Sequence, residues 1–223
     1  MLSYPEVIFE DNHLLILNKP PGWIVQGAGE YDKSVLAWGK CYIKENYHKP
    51  GNVFLAAVSR LDRGVAGVVP LARTSKAAAR LNEQIRSREV KKVYTAIVSP
   101  VPKVPSGTLR HYLVRDDQRA RSIAYDSPRP DAVEAILNYE VSRSGEFAAE
   151  LRIELITGRK HQIRVQLSTA GWPIMGDLKY GSPRETSHLR RLALHCNRFE
   201  LVHPTQGERL AFISAAPWFG ISL

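Results

Sequence analysis

Val133-Glu134-Ala135-Ile136-Leu137-Asn138-Tyr139-Glu140-Val141 and Leu151-Arg152-Ile153-Glu154-Leu155 carry the pattern that decides the architecture. In the first run Val133, Ala135, Leu137, Tyr139 and Val141 recur at every second position. In the second, Leu151, Ile153 and Leu155 alternate with Glu150, Arg152 and Glu154. A period of two puts each apolar set on one face of a pleated strand. Ser144-Gly145 between the runs reads as a tight turn, so the pair is an antiparallel hairpin.

The same reading extends outward on both sides. Val7-Ile8-Phe9 and Leu14-Leu15-Ile16-Leu17 predict two strands around an Asp11-Asn12 turn, and Asn18-Lys19-Pro20-Pro21-Gly22 ends the pattern. Val35, Leu36, Ile43 and Tyr47 fit a helix from Asp32, its expected cap, to about Tyr47. Val53–Val58 reads as a buried strand delivering Asp62 onto the loop beyond its end, and Gly67–Ala72 as a second. Thr74 or Ser75 caps a helix to about Ser87, with Ala78, Leu81 and Ile85 on its apolar face. Arg73, Lys76 and Arg80 make a basic stripe on another face, which in isolation is a solvated surface.

Val90–Ser99 alternates as a strand, with Lys92, Tyr94, Ala96 and Val98 on one side. Proline-bearing loops at 99–107 and 127–131 bound a polar hairpin with Arg110, Arg115, Arg119 and Arg121. A helix from about His161 to Ala170 stops at Gly171, and Leu192–Leu201 and Leu210–Ile213 read as strands. Strands joined by short turns, with only a few helices, predict an α+β fold on a mixed, mainly antiparallel sheet. With no composition shift to mark a border, the expectation is a single domain over 1–223. No regular βαβ alternation, Gly-x-Gly-x-x-Gly or Walker loop occurs, so no nucleotide cofactor is indicated.

Composition narrows the function. A net charge of +9 over 223 residues favours an anionic partner through counterion release from a phosphate backbone. The 44% hydrophobic and 24% charged content is that of an ordinary globular protein. Cys41 and Cys196 are far apart and lack Cys-x-x-Cys spacing, which argues against a disulfide framework or structural zinc. His188, His195 and His203 are irregularly spaced and pair with no carboxylate at ligand spacing, so no metal is expected. Without an apolar leader or a membrane-length apolar run, the expected setting is cytoplasmic, away from membranes.

Two stretches carry the chemistry. Ser59-Arg60-Leu61-Asp62-Arg63 and Thr157-Gly158-Arg159-Lys160-His161-Gln162-Ile163-Arg164 set reactive polar groups among arginines. A carboxylate between guanidiniums stays ionised at neutral pH, because opposite charge favours its charged form. The chain resembles the RluA type of pseudouridine synthase, whose hallmarks are His-Arg-Leu-Asp-Arg and Thr-Gly-Arg-x-His-Gln-Ile-Arg. The similarity runs in order from Asn18–Gly22 through Asp62, Lys92-Val93-Tyr94 and residues 157–164. It continues into Pro173-Ile174-Met175-Gly176-Asp177, Tyr180-Gly181, Ala193-Leu194-His195 and His203-Pro204.

That resemblance implies the pseudouridine synthase catalytic fold with a central RNA-binding cleft. The implied reaction breaks the N1–C1′ bond of uridine, turns the uracil and joins C5 to C1′. Asp62 takes the role of the catalytic carboxylate, which either attacks C1′ or removes the C2′ proton to give a glycal. No water enters, so the second carboxylate of a glycosidase is not required. Tyr94 matches the tyrosine that stacks on the target base. Arg164 matches the arginine that holds the catalytic aspartate by a bidentate contact. Arg60 matches the arginine that fills the space left by the extruded nucleotide. Arg63, Arg73, Lys76, Arg80 and Lys92 join it as expected RNA contacts. Arg159, Lys160 and His161, at a loop-to-helix start, suit a phosphate. The arm at 100–131 is a candidate for further RNA contacts.

The chain departs from the pattern at three places. Ser59 stands for the usual histidine, Gly64-Val65-Ala66-Gly67 for Asp-x-Thr-Ser-Gly, and Pro70 interrupts a normally unbroken apolar strand. All surround Asp62 without removing it. The expected protein is a cofactor-free monomer acting on rRNA or tRNA, with no S4 domain. The alternative is a catalytically inactive RNA-binding protein on the same fold.

Overall fold

A computed structural model describes residues 4–27, 33–181 and 191–218. Its first elements are β1 (Glu6–Glu10), β2 (Leu14–Lys19), α1 (Val35–Asn46), β3 (Ala56–Ala57), β4 (Ala66–Ala72), α2 (Ser75–Arg86) and β5 (Lys91–Val98). Then follow β6 (Ser106–Asp116), β7 (Arg121–Tyr125), β8 (Val133–Ser144), β9 (Ala149–Leu155), α3 (Gln162–Thr169), β10 (Leu194–Val202) and β11 (Arg209–Ile213). The α+β expectation of a mainly antiparallel sheet with few helices holds. The chain forms two compact units, Met1–Lys91 with Cys196–Ala215, and Lys92–His195 with Ala216–Leu223.

In the first unit the strand order is β1-β2-β4-β10, with β3 paired to β4 and β11 to β10. The β1–β2 turn forms because Asp11 Oδ1 accepts from the N–H groups of His13 and Leu14, both at 2.7 Å. The turn is braced by His203, whose Nε2 lies 2.7 Å from Asp11 Oδ2. Leu14, Leu15, Ile16 and Leu17 are all fully buried, so β2 is covered on both faces. β4 is buried throughout and runs straight through Pro70, which sits opposite Ile16. The proline therefore does not break the strand; the ladder forgoes one donor there.

Three local expectations are corrected in this unit. The buried strand at Val53–Val58 shrinks to Ala56–Ala57, because Phe54 is exposed and only Leu55 is buried. In α2, capped by Thr74, the inward residues are Ala77, Leu81 and Gln84, rather than Ala78, Leu81 and Ile85. Gln84 can face inward because Nε2 donates to Val202 O at 2.8 Å and Oε1 accepts from Val202 N–H at 2.9 Å. Finally, α1 is capped by Ser34, whose side chain accepts from Ala37 N–H, while Asp32 lies outside the described residues.

In the second unit the order is β5-β9-β8-β6-β7. The β8–β9 hairpin pairs Leu137 with Leu155, Tyr139 with Ile153 and Val141 with Leu151, as the alternation predicts. Its turn is closed by Gly145 N–H donating to Ala148 O at 2.9 Å. The polar hairpin is also real, with β6 and β7 pairing from Tyr112–Tyr125 to Asp116–Arg121. α3 ends with Ala170 as cap and Gly171 at φ 89°, a left-handed conformation that suits glycine. Among the described residues, no helix is long and apolar enough to cross a membrane, and no group of three or more His, Cys, Asp or Glu could hold a metal.

Candidate active site

Asp62 sits between a buried anchor and a tight turn. Leu61 is 9% exposed, and Asp62 O accepts from Val65 N–H at 3.0 Å, closing the turn that leads into β4. The next residue is held from below. Arg63 O accepts from Gly22 N–H at 2.8 Å and from Lys19 Nζ at 3.2 Å. Lys19 is fully buried and also donates to Trp23 O at 2.6 Å and Pro20 O at 3.2 Å. Burial pulls its ammonium down to about 7; the Asp62 charge opposes that shift and the Arg63 charge adds to it. The Asn18–Gly22 segment is thus the support of the Asp62 turn. Periodicity assigns Lys19 no role; a lysine before Pro-Pro-Gly at a strand end is the one signal in the sequence that marks it.

Gly67 explains why the strand after Asp62 begins as it does. Its φ is 115°, and a Cβ there would lie 2.1 Å from Cys196 O. Only glycine permits this approach of two backbones.

The second unit holds the other motif. Arg164, on α3, is only 12% exposed; Nε donates to Asp177 Oδ2 at 2.7 Å and Nη2 to Oδ1 at 2.8 Å. This bidentate pair with Asp177 is separate from the contact to Asp62 that the resemblance implies. Asp177 is fully buried and also accepts from Lys179 N–H at 2.9 Å and Tyr180 N–H at 3.1 Å. Burial alone would raise its carboxyl, but the Arg164 hydrogen bonds and charge and these two N–H donors hold it below the usual range.

The Arg164 guanidinium lies 5.1 Å from the centre of the Tyr180 ring. Tyr180 Oη accepts from Ser122 N–H at 2.7 Å and, in the arrangement that satisfies both groups, donates to His161 Nδ1 at 2.8 Å. Burial raises the Tyr180 phenol, against hydrogen bonds from Ser122 and the charges of Arg164 and Arg121.

The loop before α3 is braced by its own side chains. Thr157 Oγ1 accepts from Ile136 N–H at 2.8 Å and donates to Gln162 Oε1 at 2.9 Å. Gln162 Oε1 accepts from Arg159 N–H at 2.9 Å. One of the backbone donors expected to suit a phosphate is therefore occupied from within. His161 takes the N-cap position at φ 55° without a side-chain cap bond, its ring committed to Tyr180.

The remaining expected residues divide. Arg60, Arg63, Lys76, Arg80, Arg159 and Lys160 are exposed. Arg80 donates to Pro204 O and Arg159 Nε to Glu134 O at 3.1 Å. Lys92 lies on β5 with its Nζ beside Gly158. Tyr94 is 5% exposed and paired opposite Ile153. Arg73 is a correction. Its side chain is 7% exposed, donates to Asp11 O, lies 3.8 Å from Glu10 and stacks on Tyr47, so it is an internal brace rather than an RNA contact. His203 is likewise structural, while His188 lies outside the described residues.

The sheet and its two motifs have counterparts among known RNA-modifying enzymes. The model of the RNA pseudouridylate synthase family matches residues 13–169, and the chain belongs to that family. It is 33% identical over 215 residues to the dual-specificity RNA pseudouridine synthase RluA of Escherichia coli O6:H1, covering 94% of this chain and 92% of that one. It is also 33% identical to the ribosomal large subunit pseudouridine synthase D of Pseudomonas aeruginosa, covering 95% of this chain and 68% of the relative. Human RNA pseudouridylate synthase domain containing 4 superposes with a TM-score of 0.78 at 26% identity, over 95% of this chain and 88% of the human one. The protein is an RNA pseudouridine synthase, an isomerase that converts uridine to pseudouridine.

Proposed function

We propose that this enzyme isomerises specific uridines in structured ribosomal or transfer RNA, as a cofactor-free monomer in the cytoplasm, with Asp62 as its catalytic carboxylate. Asp62 works at the ribose while the N1–C1′ bond breaks; the detached uracil turns over Tyr94 and rejoins through C5. Arg164 is assigned to orienting the catalytic carboxylate. Arg60 replaces the extruded nucleotide in the stack, and Arg63, Lys76, Arg80, Lys92, Arg159, Lys160 and His161 contact the RNA.

The observation that carries this reading is the Asp62 turn itself. A carboxylate in an Arg-Leu-Asp-Arg run is held by a buried leucine on one side and, through the Arg63 carbonyl, by a buried lysine on the other. Mere RNA binding would gain nothing from an anion fixed among cations, which argues against an inactive binding protein. A ribosomal substrate is favoured by the name of the Pseudomonas relative.

The test is to map pseudouridine in total RNA from cells with and without the gene, then restore wild type or Asp62→Ala. At least one mark should vanish on deletion and return only with wild type, the Asp62→Ala enzyme being slower by roughly 10⁴-fold or more. If no mark vanishes the substrate class is wrong; if Asp62→Ala restores it, another group does the chemistry.

A further inference from the structure

We propose that Asp177 is a positioning residue for catalysis, acting through Arg164 by fixing the plane and direction of its guanidinium. The inference rests on the reading of Arg164 as the partner of Asp62, and it assigns the group that makes that arginine rigid.

The geometry leaves little else for Asp177 to do. Its carboxylate is fully buried, and Arg164 Nε and Nη2 meet its two oxygens at 2.7 and 2.8 Å. Two parallel N–H···O bonds between planar groups remove rotation about the guanidinium axis, which a single contact would leave free. Asp177 is itself pinned, because the N–H groups of Lys179 and Tyr180 reach Oδ1 at 2.9 and 3.1 Å. The backbone is fixed beside it too: Gly176 has φ 77°, and a Cβ there would lie 2.0 Å from Arg191 O. The ring of Tyr180 closes one face of the guanidinium at 5.1 Å and is held through its own hydroxyl by Ser122 and His161.

A pair so deeply buried is a poor device for stability, since desolvation cancels most of the attraction. What it does provide is a charged group with one orientation. Arg164 offers five N–H donors in a rigid fork, and Asp177 takes two of them. The direction in which the rest of the fork points is then set by residues 176–180 rather than by rotamer freedom on α3. Displacing an oriented group by about 1 Å is enough to slow chemistry about 10²-fold without altering substrate binding.

Asp177→Glu tests this, because it keeps the charge balance and moves the carboxylate by one methylene. Single-turnover rates with enzyme in excess, RNA affinity by filter binding and thermal melts are measured for wild type, Asp177→Glu, Asp177→Asn, Arg164→Lys and the Arg164→Lys/Asp177→Glu double variant. The expected result is a cooperative melt for Asp177→Glu, unchanged RNA affinity and a rate lower by about 10²-fold. In the Arg164→Lys background the same change should cost less than about threefold, since a residue acting through Arg164 has nothing left to position.

A folded Asp177→Glu enzyme with the wild-type rate overturns the proposal. So does an equal loss in both backgrounds. If neither Asp177 variant melts cooperatively, the pair serves the fold and the positioning role is overturned as well. A wild-type rate for Arg164→Lys, by contrast, brings down the reading of Arg164 itself, a result distinct from all of these.

Discussion

Lys19 couples protonation to the Asp62 turn. Its three acceptors, the carbonyls of Pro20, Trp23 and Arg63, match the three protons of an ammonium and exceed the two of a neutral amine. Burial nevertheless brings the group from 10.5 down to about 7. Below pH 7 lysine is charged in both states, and the folded chain bears the full cost of burying that charge. Between about 7 and 10.5 the unfolded chain binds more protons than the folded one, so this group's contribution to stability grows as pH rises. Catalysis should run the other way. Losing a proton above pH 7 strips one carbonyl of its donor and slackens the support one residue from Asp62. The wild-type single-turnover rate is therefore expected to fall on the alkaline side with a midpoint near 7. Lys19→Met should be slow at every pH, lack that limb, and lose about 2 kcal/mol in urea melts from its unpaired carbonyls. An alkaline limb that persists unchanged in Lys19→Met would remove Lys19 from the account.

Strand β4 links this residue to the sheet, since Lys19 is paired opposite Gly67. At φ 115° and with Cys196 O where a Cβ would be, Gly67→Ala must distort β4 or part it from β10. The expected cost is upward of about 3 kcal/mol, read as a lower midpoint in urea unfolding. A variant melting like wild type would mean that the strands can separate locally at little cost. The contact is invisible in sequence, because it depends on a neighbour more than a hundred positions away. What was legible came from local signals: alternation for the β8–β9 hairpin, bounding prolines for the β6–β7 hairpin, and a glycine stop for α3. Periodicity misled where tertiary partners decided. Gln84 turned inward because Val202 offers it both a donor and an acceptor, which rotated the buried face of α2 away from Ala78 and Ile85. The Val53–Val58 run lacked a partner along most of its length and kept only Ala56 and Ala57. At the candidate site the motifs were legible, but their supports were not. Lys19, Asp177, Thr157 and Gln162 are polar residues whose roles come from burial and from partners brought in by the fold.

For the molecule as a whole, the excess of +9 is not spread evenly over its arginines. Many guanidiniums are already matched by carboxylates: Arg110 with Glu134, Arg115 with Asp117, Arg119 with Asp116, Arg143 with Glu150 and Arg198 with Glu200. Around the turn between β6 and β7, Arg115, Arg119 and Arg121 stand against Asp116 and Asp117, so internal pairing cuts the local charge to +1. Lys160 differs: it is exposed on the loop entering α3, which follows Thr157-Gly158-Arg159. Binding RNA releases counterions in proportion to the phosphates neutralised, so log K falls linearly with log salt, by about 0.7 per phosphate on single strands. Lys160→Ala should flatten that slope by about 0.7 and weaken binding at low salt. Arg119→Ala should leave the slope unchanged, because the cation it removes is balanced by Asp116 in the free protein. Both follow from filter-binding titrations across a potassium chloride series on one RNA. Equal flattening by the two substitutions would show that the β6–β7 arm surrenders its internal pairs to phosphate, restoring it as a contact surface.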